Sequence, residues 1–236
     1  MMTYVVTILL SSCSDKIKTH TEVVYSRHLQ EHVPLQVFTT PLKSKENVSL
    51  LLVCGNLAAI GKTEEVLLDL YKKKKISSSV IIYINSEKLK ISVERSVEKY
   101  FSFINKELLP FVRKNSGIRK FQTISIAGIK QNGEMAIGFA WENADKIQRG
   151  IAVSSFTDTS DNLILQQIES SRKRPDCSLI LYERSEINNA DSSYVYKLLS
   201  GKKSLQPVEY IRYSGNNNQE LWDKLLPEIF MKTLGD

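Results

Sequence analysis

Histidine is nearly missing from this chain: three in 236 residues, His20, His28 and His32, and none after position 32. Most of the sequence therefore lacks the side chain that most often serves as a general base or a metal ligand near neutral pH. Cysteine is equally sparse. The chain has only Cys13, Cys54 and Cys177; Cys54 and Cys177 show no C-x-x-C spacing and have no histidine close by, which argues against a metal site, and no cofactor is expected. Cys54 and Cys177 sit beside apolar runs and are expected to be buried thiols. Charge of one sign is not in large excess either, at a net +6. The runs Lys72 to Lys75 and Arg172 to Arg174 carry no interleaved aromatics, which marks them as solvated helix ends and argues against a nucleic-acid partner. Internal repeats and low-complexity stretches are absent.

The only apolar run without a charge at the start of the chain, MMTYVVTILLSSC, is too short for a membrane-spanning helix. Its end, Leu10, Ser11, Ser12, Cys13, resembles a bacterial lipobox. The resemblance implies a lipoprotein signal over 1–13, lipidation of Cys13, a polar tether over 14–21 and a single domain over 22–236. That organisation implies anchorage in a bacterial cell envelope. No Lys or Arg precedes the apolar run, a departure from the usual signal pattern; were 1–13 an ordinary strand, the protein would be cytoplasmic.

A composition of 42% hydrophobic and 25% charged residues over this length is enough for one sizeable core. Two alternating runs on either side of Gln30 to Pro34 predict an antiparallel hairpin at the edge of a mixed sheet. The uninterrupted apolar runs VSLLLVC and SVIIYIN predict central strands buried on both faces. A helix is predicted from Thr63, with Glu64 and Glu65 in its first turn, and a long one over 92–115, kinked or broken at Pro110. Strands at 123–127, 149–154, 178–182 and 208–213 then alternate with helices at 133–143, 162–171, 192–199 and 220–234. Such alternation predicts an α/β fold with a mostly parallel central sheet and helices on both faces.

The segment SIAGIKQNGEMAIGFAWENADKIQRGIAVSS, 125–155, contains Gly128, Ile129, Lys130, Gln131, Asn132, Gly133. This is the layout of a strand-to-helix elbow G-x-S-x-G, with lysine in the serine place. Asparagine tolerates positive φ, so Asn132 is expected to let the turn form. Together with NKELLPFVRKN, 105–115, the segment resembles the esterase family of α/β-hydrolases that includes enterochelin esterases, S-formylglutathione hydrolases and feruloyl esterases. The resemblance runs over most of the chain from Glu22 onward and implies the α/β-hydrolase fold.

Carried over by position, that family's oxyanion-hole amides fall on Gly55, after Cys54, and on Gln131. Its acid falls on Glu186, with Glu183 or Asp191 as alternatives. Its histidine falls on Asn217, within Gly215, Asn216, Asn217, Asn218 and upstream of Trp222. Lys130, Glu186 and Asn217 thus occupy the triad positions without a nucleophile or a base, since an amide has no titratable proton near neutrality and a hydroxyl needs an adjacent base. Ser154, Ser155 and Ser214 offer hydroxyls but no histidine partner in the C-terminal half.

The resemblance implies an esterase-like protein that has lost catalysis and binds an unidentified small molecule or protein partner. Cys54, Asn132, Asn216, Asn218 and Trp222 are the candidate ligand contacts. Two alternatives stand beside it. One is a residual carboxylic-ester hydrolase. The other is nucleotide binding at a degenerate P-loop, Gly55 through Gly61, Lys62 and Thr63, whose glycines are one residue too far apart for the motif.

Overall fold

The computed structural model describes residues 16–42, 47–55, 60–85, 93–155, 162–173, 176–184, 190–202, 206–214 and 218–235, with only the backbone for 93–96, 184, 190–192 and 218–220. Among the described residues eight strands form one sheet: β1 (Lys18–Ser26), β2 (Glu31–Thr39), β3 (Ser49–Gly55), β4 (Ser79–Asn85), β5 (Ile124–Ile129), β6 (Arg149–Val153), β7 (Ser178–Arg184) and β8 (Val208–Tyr213). Their order across the sheet is β1-β2-β4-β3-β5-β6-β7-β8. β2 is antiparallel to both its neighbours, and every pair from β4 to β8 is parallel. The two runs read as central strands, β3 and β4, are buried at every position.

Helices α1 (Thr63–Lys72) and α7 (Asn218–Leu234) pack on one face, around Leu51, Val53, Tyr83, Ile151 and Tyr182. The other face is covered by α2 (Val93–Phe103), α3 (Leu109–Ser116), α4 (Gln131–Glu142), α5 (Leu163–Ser170) and α6 (Ala190–Lys202), around Leu50, Leu52, Ile126 and Leu181. A parallel sheet leaves both faces apolar, and helices on each side bury them.

One local expectation shifts. The hairpin turn falls on 27–30, ahead of Pro34, which lies inside β2 opposite Val23 and one residue before the pairing with β4 begins at Leu35. A proline has no N–H for a ladder, so it suits a stretch flanked on one side only. Glu107 holds that turn, accepting hydrogen bonds from the Ser26 hydroxyl at 2.6 Å and the Arg27 amide at 2.9 Å.

The long helix predicted over 92–115 is broken next to Pro110, as the proline leads one to expect, and the form of the break is the new feature. Pro110 opens α3, and the segment ahead of it, Ile104–Leu108, is a π-helical turn in which the Leu109 amide reaches back to the Ile104 carbonyl. Proline's missing N–H and its ring clash with the preceding turn are absorbed by that wider turn.

Candidate functional site

β5 ends at Ile129 and α4 begins at Gln131, leaving Lys130 alone to reverse the chain, with φ 54° and ψ −133°. Positive φ in a residue with a Cβ costs on the order of 1–3 kcal/mol and persists only where surroundings enforce it. Here the Lys130 amide donates to the Val153 carbonyl of β6 at 2.9 Å, and its carbonyl accepts from Gly133 at 2.8 Å.

Both flanking glycines are sterically required. A Cβ on Gly128 would lie 2.1 Å from the Asn132 carbonyl oxygen, and one on Gly133 would lie 1.8 Å from the Ser155 Oγ. The elbow read from the sequence is therefore present. Asn132 does not supply its positive φ, however; it lies within the first turn of α4, half-buried, and the strained residue is Lys130.

Lys130 and Gln131 are exposed where α4 starts. The first amides of a helix have no carbonyl partner within it, so the amides of Gln131 and Asn132 sit at the positive end of α4. The first turn is tied down from the side. Glu134 accepts a hydrogen bond from the Asn162 amide group at 2.8 Å, and the Asn162 side-chain oxygen in turn caps α5 through Leu165 at 3.1 Å.

The strand ends next to the elbow are polar but closed. Ser154, just past β6, also has positive φ, 49°, and its buried hydroxyl pairs with the Tyr213 hydroxyl at 2.5 Å. On the other side of the elbow Gly55 and Asn85 end β3 and β4 in register. A Cβ on Gly55 would meet no atom within 4 Å, and Asn85 is 5% exposed with its side-chain oxygen unpartnered. Glu183 is buried near the end of β7.

Three sequence expectations change in the structure. Cys54 is wholly buried, as its place beside an apolar run predicts, which removes it from the candidate ligand contacts, and burial pushes its thiol up to about 12. It cannot touch a ligand as the fold stands. Trp222 is wholly buried too, beneath α7 on the face it shares with α1, and packs near Tyr83 instead of lining a cleft. The run Leu221, Trp222, Leu225, Leu226, Ile229, Phe230 has helical spacing, the signal in the sequence that points to a core position for Trp222. At the degenerate P-loop, Thr63 is buried and its hydroxyl is 2.6 Å from that of Tyr83, a partner within the core.

Glu186, Asn216, Asn217 and Cys13 lie outside the described residues, as does the stretch 56–59 between Gly55 and Thr63. Asn218 is the first residue of α7, and Asp191 lies in the first turn of α6. Among the described residues no three His, Cys, Asp or Glu side chains are grouped to hold a metal ion. No described helix is long and apolar enough to cross a membrane. The Ser154 to Tyr213 pair was the part of the site that sequence reasoning missed, because the partners stand 59 positions apart.

Solved structures resemble this fold over nearly its whole length. The siderophore hydrolase EstB from Aspergillus nidulans superposes with a TM-score of 0.77 at 14% identity, covering 92% of this chain and 94% of its own. A ferulic acid esterase gives 0.71 at 15% identity over 93% and 98%. An S-formylglutathione hydrolase from Agrobacterium tumefaciens gives 0.68 at 12% over 95% and 98%. The structural neighbours are thus esterases of the α/β-hydrolase fold, and this chain has that fold, with an eight-stranded, mostly parallel sheet. No protein-family model matches the sequence, and neither does any curated protein.

Proposed function

We propose that the protein is an esterase-like α/β-hydrolase without serine-hydrolase catalysis, which uses the carboxyl edge of its sheet to bind an acyl-bearing small molecule or a protein partner. The observation that carries this reading is Lys130, an exposed lysine held at φ 54° on an otherwise intact elbow. The backbone needed to present a nucleophile is kept while the hydroxyl is gone, and no histidine follows His32 to activate one. In open α/β sheets ligands bind at the carboxyl ends of the strands, so such a cleft outlasts its triad. The buried Thr63 hydroxyl, already paired with Tyr83, speaks against the nucleotide-binding alternative.

The test is p-nitrophenyl acetate turnover by the native chain, by Lys130→Ala, and by Lys130→Ser combined with Asn217→His, run beside equilibrium binding to acylated sugars and siderophores. The reading expects background rates from the first two, a gain in the double variant, and saturable binding by the native chain. Enzyme-like rates that disappear in Lys130→Ala would overturn it in favour of an atypical carboxylic-ester hydrolase. Attachment to a bacterial envelope through Cys13 belongs to the same proposal. It expects the native chain in the detergent phase of a Triton X-114 partition and Cys13→Ser in the aqueous phase; equal partitioning would remove it.

A further inference from the structure

β8 is the last strand of the sheet, paired on one side with β7 and on the other with no strand among the described residues. Unlike β3 and β4, its four middle positions are half-buried or exposed. Register pairs Leu181 with Tyr210 and Tyr182 with Ile211. That places Tyr210 on the face covered by α6 and Ile211 on the face covered by α7. On the α6 face Tyr210 stacks against Tyr196, centroids 5.6 Å apart, and the exposed Arg212 lies over the Tyr210 ring at 5.6 Å. Tyr196 is 36% exposed. Tyrosine and arginine are the residues that anchor protein interfaces, and an unpaired strand edge is a template for further pairing.

We infer that β8 joins β8 of a second copy of this chain, antiparallel, around a two-fold axis at Ile211. The strand's own pattern selects that occupant. Tyr210 and Arg212 flank Ile211 symmetrically on one face, so this axis sets each arginine opposite the other copy's tyrosine, a cation–π pairing made twice. Moving the axis to Arg212 would put arginine opposite arginine, which is destabilising. Moving it to Tyr210 would leave both arginines opposite valine. Of these three registers the one centred on Ile211 alone sets arginine opposite tyrosine, and it joins two eight-stranded sheets into one. A six-residue strand with one aromatic cluster falls short of the roughly 800 Å² per partner of a tight complex, so the pair is expected to dissociate in the micromolar range.

Cross-linking in the full chain tests the register, with Cys13→Ser as background because Cys54 and Cys177 are buried. On the axis, Ile211→Cys faces itself and is expected to form a disulfide dimer under mild oxidation. Tyr210→Cys and Arg212→Cys each face the other residue, so neither should link alone and the mixture of the two should. Same-residue pairs at those positions lie diagonally, about 7–8 Å apart, beyond easy disulfide reach. Sedimentation of the unsubstituted chain is expected to show a monomer–dimer equilibrium that Arg212→Glu shifts at least tenfold toward monomer. A monomer at all concentrations up to the hundred-micromolar range, an Ile211→Cys chain that stays monomeric while retaining native circular dichroism, or equal self-linking at all three positions would overturn the inference.

Discussion

The hydroxyls of Ser154 and Tyr213 meet at 2.5 Å across the width of β7, joining the end of β6 to the end of β8. Both residues are buried, and Ser154 is held at φ 49°. The pair fixes the strand end from which the chain leaves toward Asn217. Tyr213→Phe is expected to lower unfolding stability by about 1–2 kcal/mol, because the Ser154 hydroxyl loses its partner without access to water. Urea denaturation of Tyr213→Phe, Ser154→Ala and the double variant should give a coupling energy of about 1 kcal/mol; additive effects would show that the contact contributes nothing.

Lys130→Gly should stabilise the protein. Glycine adopts φ 54° without a Cβ clash, and the relief of on the order of 1–3 kcal/mol exceeds glycine's entropic cost of up to about 1 kcal/mol. A rise in the urea midpoint equivalent to about 1 kcal/mol is expected, with no such rise for Lys130→Ala, which keeps the Cβ.

Gly128→Ala acts in the opposite direction. Its Cβ would lie 2.1 Å from a backbone oxygen and 2.3 Å from a backbone carbon of Asn132, and backbone cannot step aside as a flexible side chain can. A loss of about 3 kcal/mol, or failure to accumulate folded protein, is expected. Near-native stability would mean that the elbow is looser than described.

Alkaline pH should weaken the fold through Cys54. Burial raises its thiol from 9.0 to about 12, so above pH 9 the unfolded chain releases a proton that the folded chain retains. The unfolded state then binds fewer protons, and stability, fully present below pH 9, falls as pH rises toward 12. The buried hydroxyls of Tyr83 and Tyr182 are shifted upward by burial too, and add to the fall at higher pH. Unfolding free energies measured across that range should fall less steeply in Cys54→Ala, by up to about 1.4 kcal/mol per pH unit, the effect of one proton. Below pH 9 the two slopes should coincide.

How much of this was legible in the sequence depended on whether the signal was local. The strands VSLLLVC and SVIIYIN are buried on both faces, as uninterrupted apolar runs require, and the elbow could be read because Gly128 and Gly133 are sterically compelled within six residues. The π-helical turn ahead of Pro110 was not legible, since a proline announces a break and leaves its form to the packing around Ile104 and Leu108. Asn132 was given the positive φ by residue preference. The geometry instead gave it to the residue at which strand becomes helix, whatever that residue prefers. Trp222 is a ligand contact only by its place in the resemblance, whereas its helical spacing with Leu225, Leu226 and Ile229 puts it in the core.

The elbow's dependence on Gly128, Gly133 and the Val153 carbonyl has a practical consequence for engineering. None of those supports involves the side chain at position 130, so the turn is a socket whose contents can be exchanged. A thiol placed there by Lys130→Cys would be exposed on a strained turn, while the native Cys54 stays sealed in the core. In a Cys13→Ser background a probe, a metal chelator or a new nucleophile could then be attached at one addressable point, with the fold supplying the orientation.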